Sequence, residues 1–299
     1  EPDRQYDPPT AGGLPPGSSL HCLTLKDGRS LCGLRAEPRP DGWRLWRTDQ
    51  VRDVRADEVA ADGEPVRRTF LLGTDRYGRD LLSRLLYGSR LSLSISLLAV
   101  AMALTVGVGV GSLAAISRPW LDSLMMRPAD ALLAFPPLIL LLAVAALFRP
   151  GNGLLALVLG ATSWMEISRF VRAEVRTNAA QDYVLAARSL GLPPWRILVR
   201  HLLPNSFTPV LVLGPLLVGS VILTESALSF LGLGIQPPDA SWGPLRAHAG
   251  GLLVGPRWVS KLAGLAIALA VIGWNLIGEG LRDRFDPRGR ERSPGVDEL

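Results

Sequence analysis

Residues 91–116 form a run of 26 positions without a charged side chain. At 1.5 Å of rise per residue, a helix of that length crosses a hydrocarbon core of roughly 30 Å with some tilt. In lipid only a helix or a closed barrel pairs all of its own backbone polar groups, so the run is read as a first membrane span. Further apolar runs at 131–148, 153–167, 207–233 and 259–281 make five spans, the third short and extended by the turns around Glu166. Apolar residues, 48% of the 299, are concentrated after Arg90. The chain therefore divides into a polar head and a membrane body, and that composition excludes a soluble enzyme.

Arginine placement gives orientation, because Lys and Arg in short loops are held on the cytoplasmic side. Loops 117–130, 168–206 and 282–292 carry thirteen arginines, against Arg149, Arg246 and Arg257 on the other side. The C-terminus is expected in the cytoplasm. Five spans then place residues 1–90 outside, despite Arg76, Arg79, Arg84 and Arg90 beside the first span, since long domains translocate largely regardless of charge. Span-flanking loops hold most of the basic residues, so the net charge of +5 is assigned to topology and membrane lipid, not to nucleic acid.

The head, residues 1–68, has a different pattern. Residues 1–18, rich in Pro, Gly and Asp, read as a linker, and 19–34 alternate about a turn at Lys26-Asp27-Gly28. A three-residue hairpin loop with Gly28 left-handed pairs Leu25 with Arg29 and places Cys22 opposite Cys32. These are the two cysteines of the chain; a disulfide is the leading reading, with two free thiols as the alternative. With a lone His21 beside them, zinc is not expected. Gly42-Trp43-Arg44-Leu45-Trp46 adds a strand, and the head is read as a small β-rich extracytoplasmic module. The chain begins at Glu1 and has no apolar run before Leu91 that could export this head, so an upstream segment with one more span is expected.

Two passages stand out from the span pattern. In 69–90, Leu81, Leu82, Leu85 and Leu86 recur at helical spacing behind Asp80, which reads as an amphipathic lead-in helix before the first span. In 182–205 a short helix begins near Asp182, Gly191 can end it in a left-handed conformation, and Pro193 and Pro194 prevent its continuation. Ala186 and Ala187 present little bulk to a partner. Arg188 can reach an acidic partner or the last carbonyls of the helix. Pro204 marks the entry to the next span. A rigid element of this kind is what a soluble motor would need in order to act on the membrane body.

The chain resembles the permease subunits of ATP-binding-cassette importers for dipeptides, oligopeptides and nickel, specifically the second of the paired permeases. The resemblance runs from about residue 70 to 285. Gly73-Thr74-Asp75-Arg76-Tyr77-Gly78-Arg79-Asp80 matches the family's Gly-Thr-Asp-x-x-Gly-Arg-Asp. Ala186, Ala187, Gly191, Leu203 and Pro204 match the cytoplasmic signature, with Leu185 in place of its Glu and His201 in place of its Ile. A third match is Glu225-Ser226-Ala227-Leu228-Ser229-Phe230-Leu231-Gly232-Leu233-Gly234, followed by Gln236-Pro237-Pro238 and Ser241-Trp242-Gly243.

The resemblance implies an all-α transmembrane helical bundle of the type I importer kind: a membrane domain over 91–285, a coupling loop over 168–206 and a cytoplasmic tail over 286–299. It also implies a bacterial plasma-membrane complex with a second permease, two ATPase subunits and an extracytoplasmic solute-binding protein. Asp182, Tyr183, Ala186, Ala187, Arg188, Gly191, Leu203 and Pro204 are then the ATPase-coupling candidates. ATP and Mg belong to the partner ATPases, because the phosphate-loop pattern Gly-x4-Gly-Lys-[Ser/Thr] occurs nowhere in this chain. The head lies outside the resemblance.

Ionisable residues in spans are functional candidates, since an unpaired charge costs roughly 2.5–3.5 kcal/mol at a helix centre. Glu225, with Ser226 and Ser229, is the candidate translocation path. Glu166 with Arg169, and Glu279 with Arg282, are expected as local i,i+3 pairs. Gly107, Gly109 and Gly111 lack dinucleotide-loop spacing and are read as helix-packing positions. Peptide import is the expected function, with a permease for nickel or another small solute as the alternative. A channel or secondary transporter would need charges deep in several spans or a repeated half, and neither is seen. His21, His201 and His248 fall in separate segments, so no metal site and no catalytic residue is expected.

Overall fold

A computed structural model describes residues 6, 8–27, 29–60, 64–148, 151–235, 239–249 and 257–285. Gly28, Gln236-Pro237-Pro238 and the tail 286–299 lie outside the described residues. The chain forms two compact units, one from residues 1–92 and 229–266, the other from 93–228 and 267–299.

In the first unit a short helix α1 (Pro8–Ala11) precedes two three-stranded antiparallel sheets. Strand β1 (Ser18–Thr24) lies between β2 (Ser30–Gly33) and β6 (Val66–Phe70); β4 (Gly42–Trp46) lies between β3 (Arg35–Arg39) and β5 (Val51–Arg55). The β1–β2 register pairs Cys22 with Cys32, Leu25 N–H donates to the Arg29 carbonyl, and the two cysteines are joined in a disulfide. Alternation does the packing. Leu20, Cys22, Cys32 and Phe70 form one apolar cluster and Leu23, Leu25, Leu45, Val54 and Val59 another, each fully buried leucine contributing about 1.5–3 kcal/mol.

Two readings of the head change. The linker expected over 1–18 is partly structural, because Ala11 is fully buried and the Tyr6 ring meets Phe70 edge-on at 5.3 Å. The head also does not end at residue 68: β6 pairs with β1 through Phe70, and the turn after it bonds back to residues 11–14.

That turn replaces most of the expected lead-in helix. Residues 69 and 70 are strand, 71–80 are turn, and helix α2 (Leu81–Ile116) starts with Asp80 as its cap, the carboxylate accepting from Ser83 N–H at 3.1 Å. From there α2 continues unbroken for 36 residues, so the amphipathic turns and the first apolar run are one helix. In the same unit Trp242, on α9 (Trp242–Ala249), donates its indole N–H to the Leu85 carbonyl at 3.0 Å. Ser241 packs over Gly88, where an added Cβ would lie 3.2 Å from the Ser241 Cα.

The second unit is helical: α3 (Pro119–Leu133), α4 (Pro137–Phe148), α5 (Asn152–Ala179), α6 (Asp182–Ser189), α7 (Pro194–Ile197), α8 (Leu203–Phe230) and α10 (Arg257–Phe285), the last begun in the first unit's residues. Four helical stretches, 81–116, 152–179, 194–230 and 258–285, are long and apolar enough to cross a membrane. The span expected over 131–148 is interrupted. Its helix stops at Leu133 and resumes at Pro137 with an 88° bend, because Pro136 and Pro137 lack the N–H groups that continuation needs and disfavour helical geometry before them. Counting that bent pair as one span gives five.

Glycines set the close helix contacts. A Cβ on Gly107 would lie 2.7 Å from Ile167 Cβ and one on Gly111 would lie 2.4 Å from the Ser168 carbonyl oxygen, while Gly109 meets nothing within 4 Å. Two of the three expected packing positions thus bring α2 against α5. Pro204 does not begin a span: helix runs through it from Pro194, and residues 198–202 widen into a π turn with Leu203 N–H bonded to the Leu198 carbonyl. A proline that removes one bond and crowds the carbonyl four residues back is accommodated by such widening.

Candidate functional site

The 180–206 segment is built as a rigid bracket. Helix α6 buries Val184 and Ala187 against Val171 and Val175 of α5, with Ile197, Leu198 and Leu202 closing the same cluster. Gly191 takes φ +77°, Gly191 N–H donates to the Arg188 carbonyl at 2.9 Å and Leu192 N–H to the Ala187 carbonyl at 3.3 Å. That crossed pair of bonds is a Schellman cap, and Leu192 folds onto the cluster containing Ala187 as such caps favour. Pro193 then holds an extended conformation and Pro194 opens the next helix.

The two alanines of the signature have different surroundings. Ala187 is 6% exposed and its small size serves packing inside the chain, so the expectation that it faces a partner is corrected; Ala186 is exposed. Around Ala186 the outer face carries Asp182, Tyr183, Leu185, Arg188 and Leu190, the last 83% exposed. Leu185, noted in the sequence only as standing where the general signature has Glu, and Leu190 were not among the coupling candidates, though both sit at exposed spacing in a helix whose inner positions are Val184 and Ala187. Leu203 packs on the cluster, while Pro204 is exposed and lines a cleft of about 940 Å³ with Tyr183 and Asn205.

A further clamp fixes this bracket's supporting helix. Asp122 on α3, 6% exposed, accepts from Arg172 Nε at 2.6 Å and Nη2 at 2.5 Å, and from Arg176 Nη2 at 2.8 Å. The paired, forked geometry is that of a strong arginine–carboxylate bridge. Sequence reasoning counted the two arginines as topology signals and missed Asp122, an acid inside an arginine-rich loop set. Arg169 is likewise turned to Asp130 at 3.7 Å, not to Glu166, and Arg282 forms no ion pair with Glu279 among the described residues.

The Gly73–Asp80 motif is a turn, not an exposed site. Gly73 and Gly78 have φ +78° and +73°. Asp75 Oδ1 accepts from the N–H groups of Tyr77 and Arg79, both at 2.9 Å, and Oδ2 pairs with Arg79 Nε at 2.8 Å. The fully buried Thr74 donates its hydroxyl to the Ala11 carbonyl and accepts from Leu14 N–H at 2.8 Å.

The path candidates are also placed differently from expectation. Glu225, Ser226 and Ser229 are 0%, 5% and 3% exposed. Ser226 lies at hydrogen-bonding distance, 3.5 Å, from the Glu225 carboxylate, and Ser229 Oγ accepts from Ile235 N–H at 3.2 Å, holding the turn after α8. Enclosed by their own chain, they do not line an open path. On the same helix, Thr224, next to Glu225, and Ser220, just over a turn before it, do face a cavity, opposite Thr162, Ser163 and Glu166 of α5.

The profile of the "binding-protein-dependent transport system inner membrane component" family matches residues 107–291. The chain belongs to that family. It is 43% identical over 219 residues to the "Di/tripeptide transport system permease protein DppC" of Pseudomonas aeruginosa, covering 73% of this chain and 72% of that one. Identity is 40% over 233 residues to a putative peptide transport system permease protein of Brucella suis, 78% of each chain. To the "Dipeptide transport system permease protein DppC" of Alkalihalophilus pseudofirmus it is 38% over 218 residues, 72% and 71% of the two chains. Among solved structures, a chain of the MetNI methionine ABC transporter in an inward-facing conformation superposes with a TM-score of 0.60 at 16% identity, over 68% of this chain and 97% of that one. That likeness carries the fold. This family member is a multi-pass membrane protein and a transport permease subunit.

Proposed function

We propose that the chain is one half of the membrane pathway of a peptide importer, paired with a second permease and driven by two ATPase subunits that use ATP and Mg, with an extracytoplasmic binding protein delivering the substrate. Relatives at 38–43% identity that carry di- and tripeptide permease names support peptide as the substrate. In this reading residues 168–206 and the C-terminus face the cytoplasm and the disulfide-bearing head faces outward, where oxidising conditions permit the bond.

The observation that carries the proposal is the bracket of α6. Its inner face is locked to α5 and to the 194–230 helix, while its outer face leaves Leu185 and Leu190 in water. An exposed apolar edge on a rigid support is what a groove on another protein can grip, and displacement of α6 is then transmitted to two spans at once. Leu190→Asp tests it, because a side chain 83% exposed is not part of the chain's own core. Uptake of a labelled dipeptide and co-purification of the ATPases are expected to fall about tenfold, the equivalent of roughly 1.4 kcal/mol of docking free energy. Normal values for both would remove the coupling role.

A further inference from the structure

At the bend between α3 and α4, Phe135, Leu138 and Leu141 line a cavity of about 350 Å³ together with residues of α5 and α8. Its volume is at the lower end of small-molecule sites, roughly 300–1,000 Å³. Most of the wall is Leu, Met, Val, Phe and Pro, and the polar side chains are Thr162, Ser163, Glu166, Ser220 and Thr224.

Hydrogen-bond direction gives this cavity its chemistry. Thr162 donates its hydroxyl to the Val158 and Leu159 carbonyls at 3.1 and 3.0 Å, Ser163 to Leu159 at 2.8 Å, and Thr224 to Ser220 at 2.9 Å. With those protons held by helix backbone, the three oxygens are left as acceptors. Glu166 adds an acceptor-only carboxylate; among the described residues it has no ion-pair partner, since Arg169 is turned to Asp130. Among the described residues, no Lys, Arg, His, Asn, Gln or Trp lines the cavity. Glu166 is exposed in the single chain, and a carboxylate on a membrane-spanning helix with no salt bridge among the described residues is costly unless a ligand, water or a neighbouring subunit completes it, which makes it a functional position by default.

We infer that this cavity is a station for a primary ammonium group, with Glu166 supplying the charge and Thr162, Ser163 and Thr224 accepting hydrogen bonds from a three-donor cation. The inference rests on the peptide reading above, in which the group received is the α-amino terminus of the passing peptide. The apolar wall takes the adjoining side chain and needs no sequence preference. Such an arrangement recognises what all unblocked peptides share, and one carboxylate with a few neutral oxygens holds the cation loosely enough for it to leave.

The test uses the complete importer in lipid vesicles, with Leu217→Cys as a reporter on the cavity wall. The chain's two cysteines are bonded to each other, so a maleimide reports on L217C alone, scored by mass spectrometry of its peptide. Trialanine at ten times its half-protecting concentration is expected to slow alkylation about tenfold, N-acetyl-trialanine not at all, and adding Glu166→Gln is expected to remove the protection while Glu166→Asp retains part of it. Equal protection by the acetylated peptide, protection surviving in E166Q, or protection by sodium chloride alone would each overturn the ammonium station, the last in favour of an alkali cation. Trialanine uptake by the parent importer is measured alongside. Uptake without any protection overturns the station and leaves the peptide reading intact, whereas protection by methylammonium in an importer that hydrolyses ATP but takes up no peptide supports the station and overturns the peptide reading.

Discussion

Gly73 and Gly191 have nearly the same backbone angle, φ +78° and +77°, and opposite surroundings. A Cβ on Gly73 would fall 2.2 Å from the Leu14 carbonyl oxygen; one on Gly191 would meet nothing within 4 Å. The first glycine is required by the chain's own interior, where the turn after β6 is pressed against residues 11–16. The second is required by the cap of α6 alone, and the space over it is open. Two motifs of similar appearance in the sequence thus differ in their surroundings: one closes a fold, and the other leaves an open surface over its glycine.

Gly73→Ala should do the most damage. The strain of a left-handed alanine, about 1–2 kcal/mol, adds to a backbone clash that can be relieved only by moving residues 11–16, with loss of the bonds that Thr74 makes to Ala11 and Leu14 at roughly 1 kcal/mol each. A total of about 3–4 kcal/mol is expected, read as faster proteolysis of the head. A variant as resistant as the parent would break the comparison at its closed end.

Asp122→Ala comes next. Removing one member of a sealed pair costs roughly 3–5 kcal/mol, but Arg172 and Arg176 are 30% and 45% exposed, and water screens the stranded charges to leave about 1–2 kcal/mol. Faster hydrogen exchange confined to α3 and the C-terminal half of α5 is the expected signature, with Asp122→Asn intermediate. Gly191→Ala should cost about 1–2 kcal/mol of local strain and no clash. Exchange of α6 quickens and ATPase co-purification weakens, while the head is unchanged; a head destabilised as much as by Gly73→Ala would erase the distinction.

What was legible in the sequence follows the range of each interaction. The Cys22–Cys32 register came from a loop of three residues, and the Gly191 cap from the glycine and the prolines that follow it. Thr74 bonding to Ala11, 63 positions away, and Asp122 gripping Arg172, 50 positions away, leave no periodic trace. The head's second sheet was half seen, because Gly42–Trp46 alternates but its partners β3 and β5 are charged on faces that pack little. At the bend before Pro137 composition misled: apolar residues continue on both sides, and an apolar run reads as one helix whether or not two prolines interrupt it. Glu225 misled for a related reason, since a carboxylate in a span marks a constrained position without telling an enclosed one from one facing a cavity.

The smallest effect tests the closed region at its rim. Arg44 and Asp53 lie opposite each other on β4 and β5 and share two bonds, at 2.6 and 2.7 Å. The hydrogen bond from Arg44 lowers the Asp53 pKa below its ordinary value; desolvation opposes it, and the charges of Arg44 and Arg39 add smaller lowering effects. A carboxyl depressed in the folded state stabilises the fold above its unfolded-state pKa, and that contribution disappears as pH falls through the depressed value. Exposed cross-strand pairs are weak, so the gain is small. At neutral pH, β4–β5 amides of the parent should exchange slightly more slowly than those of Asp53→Asn. At a pH below the depressed carboxyl the two should be indistinguishable, and 1 M salt should narrow the neutral-pH difference. A difference that persisted in acid would mean that the asparagine perturbs the strand itself, and the pair would then belong to the packed interior of the head and not to its solvated rim.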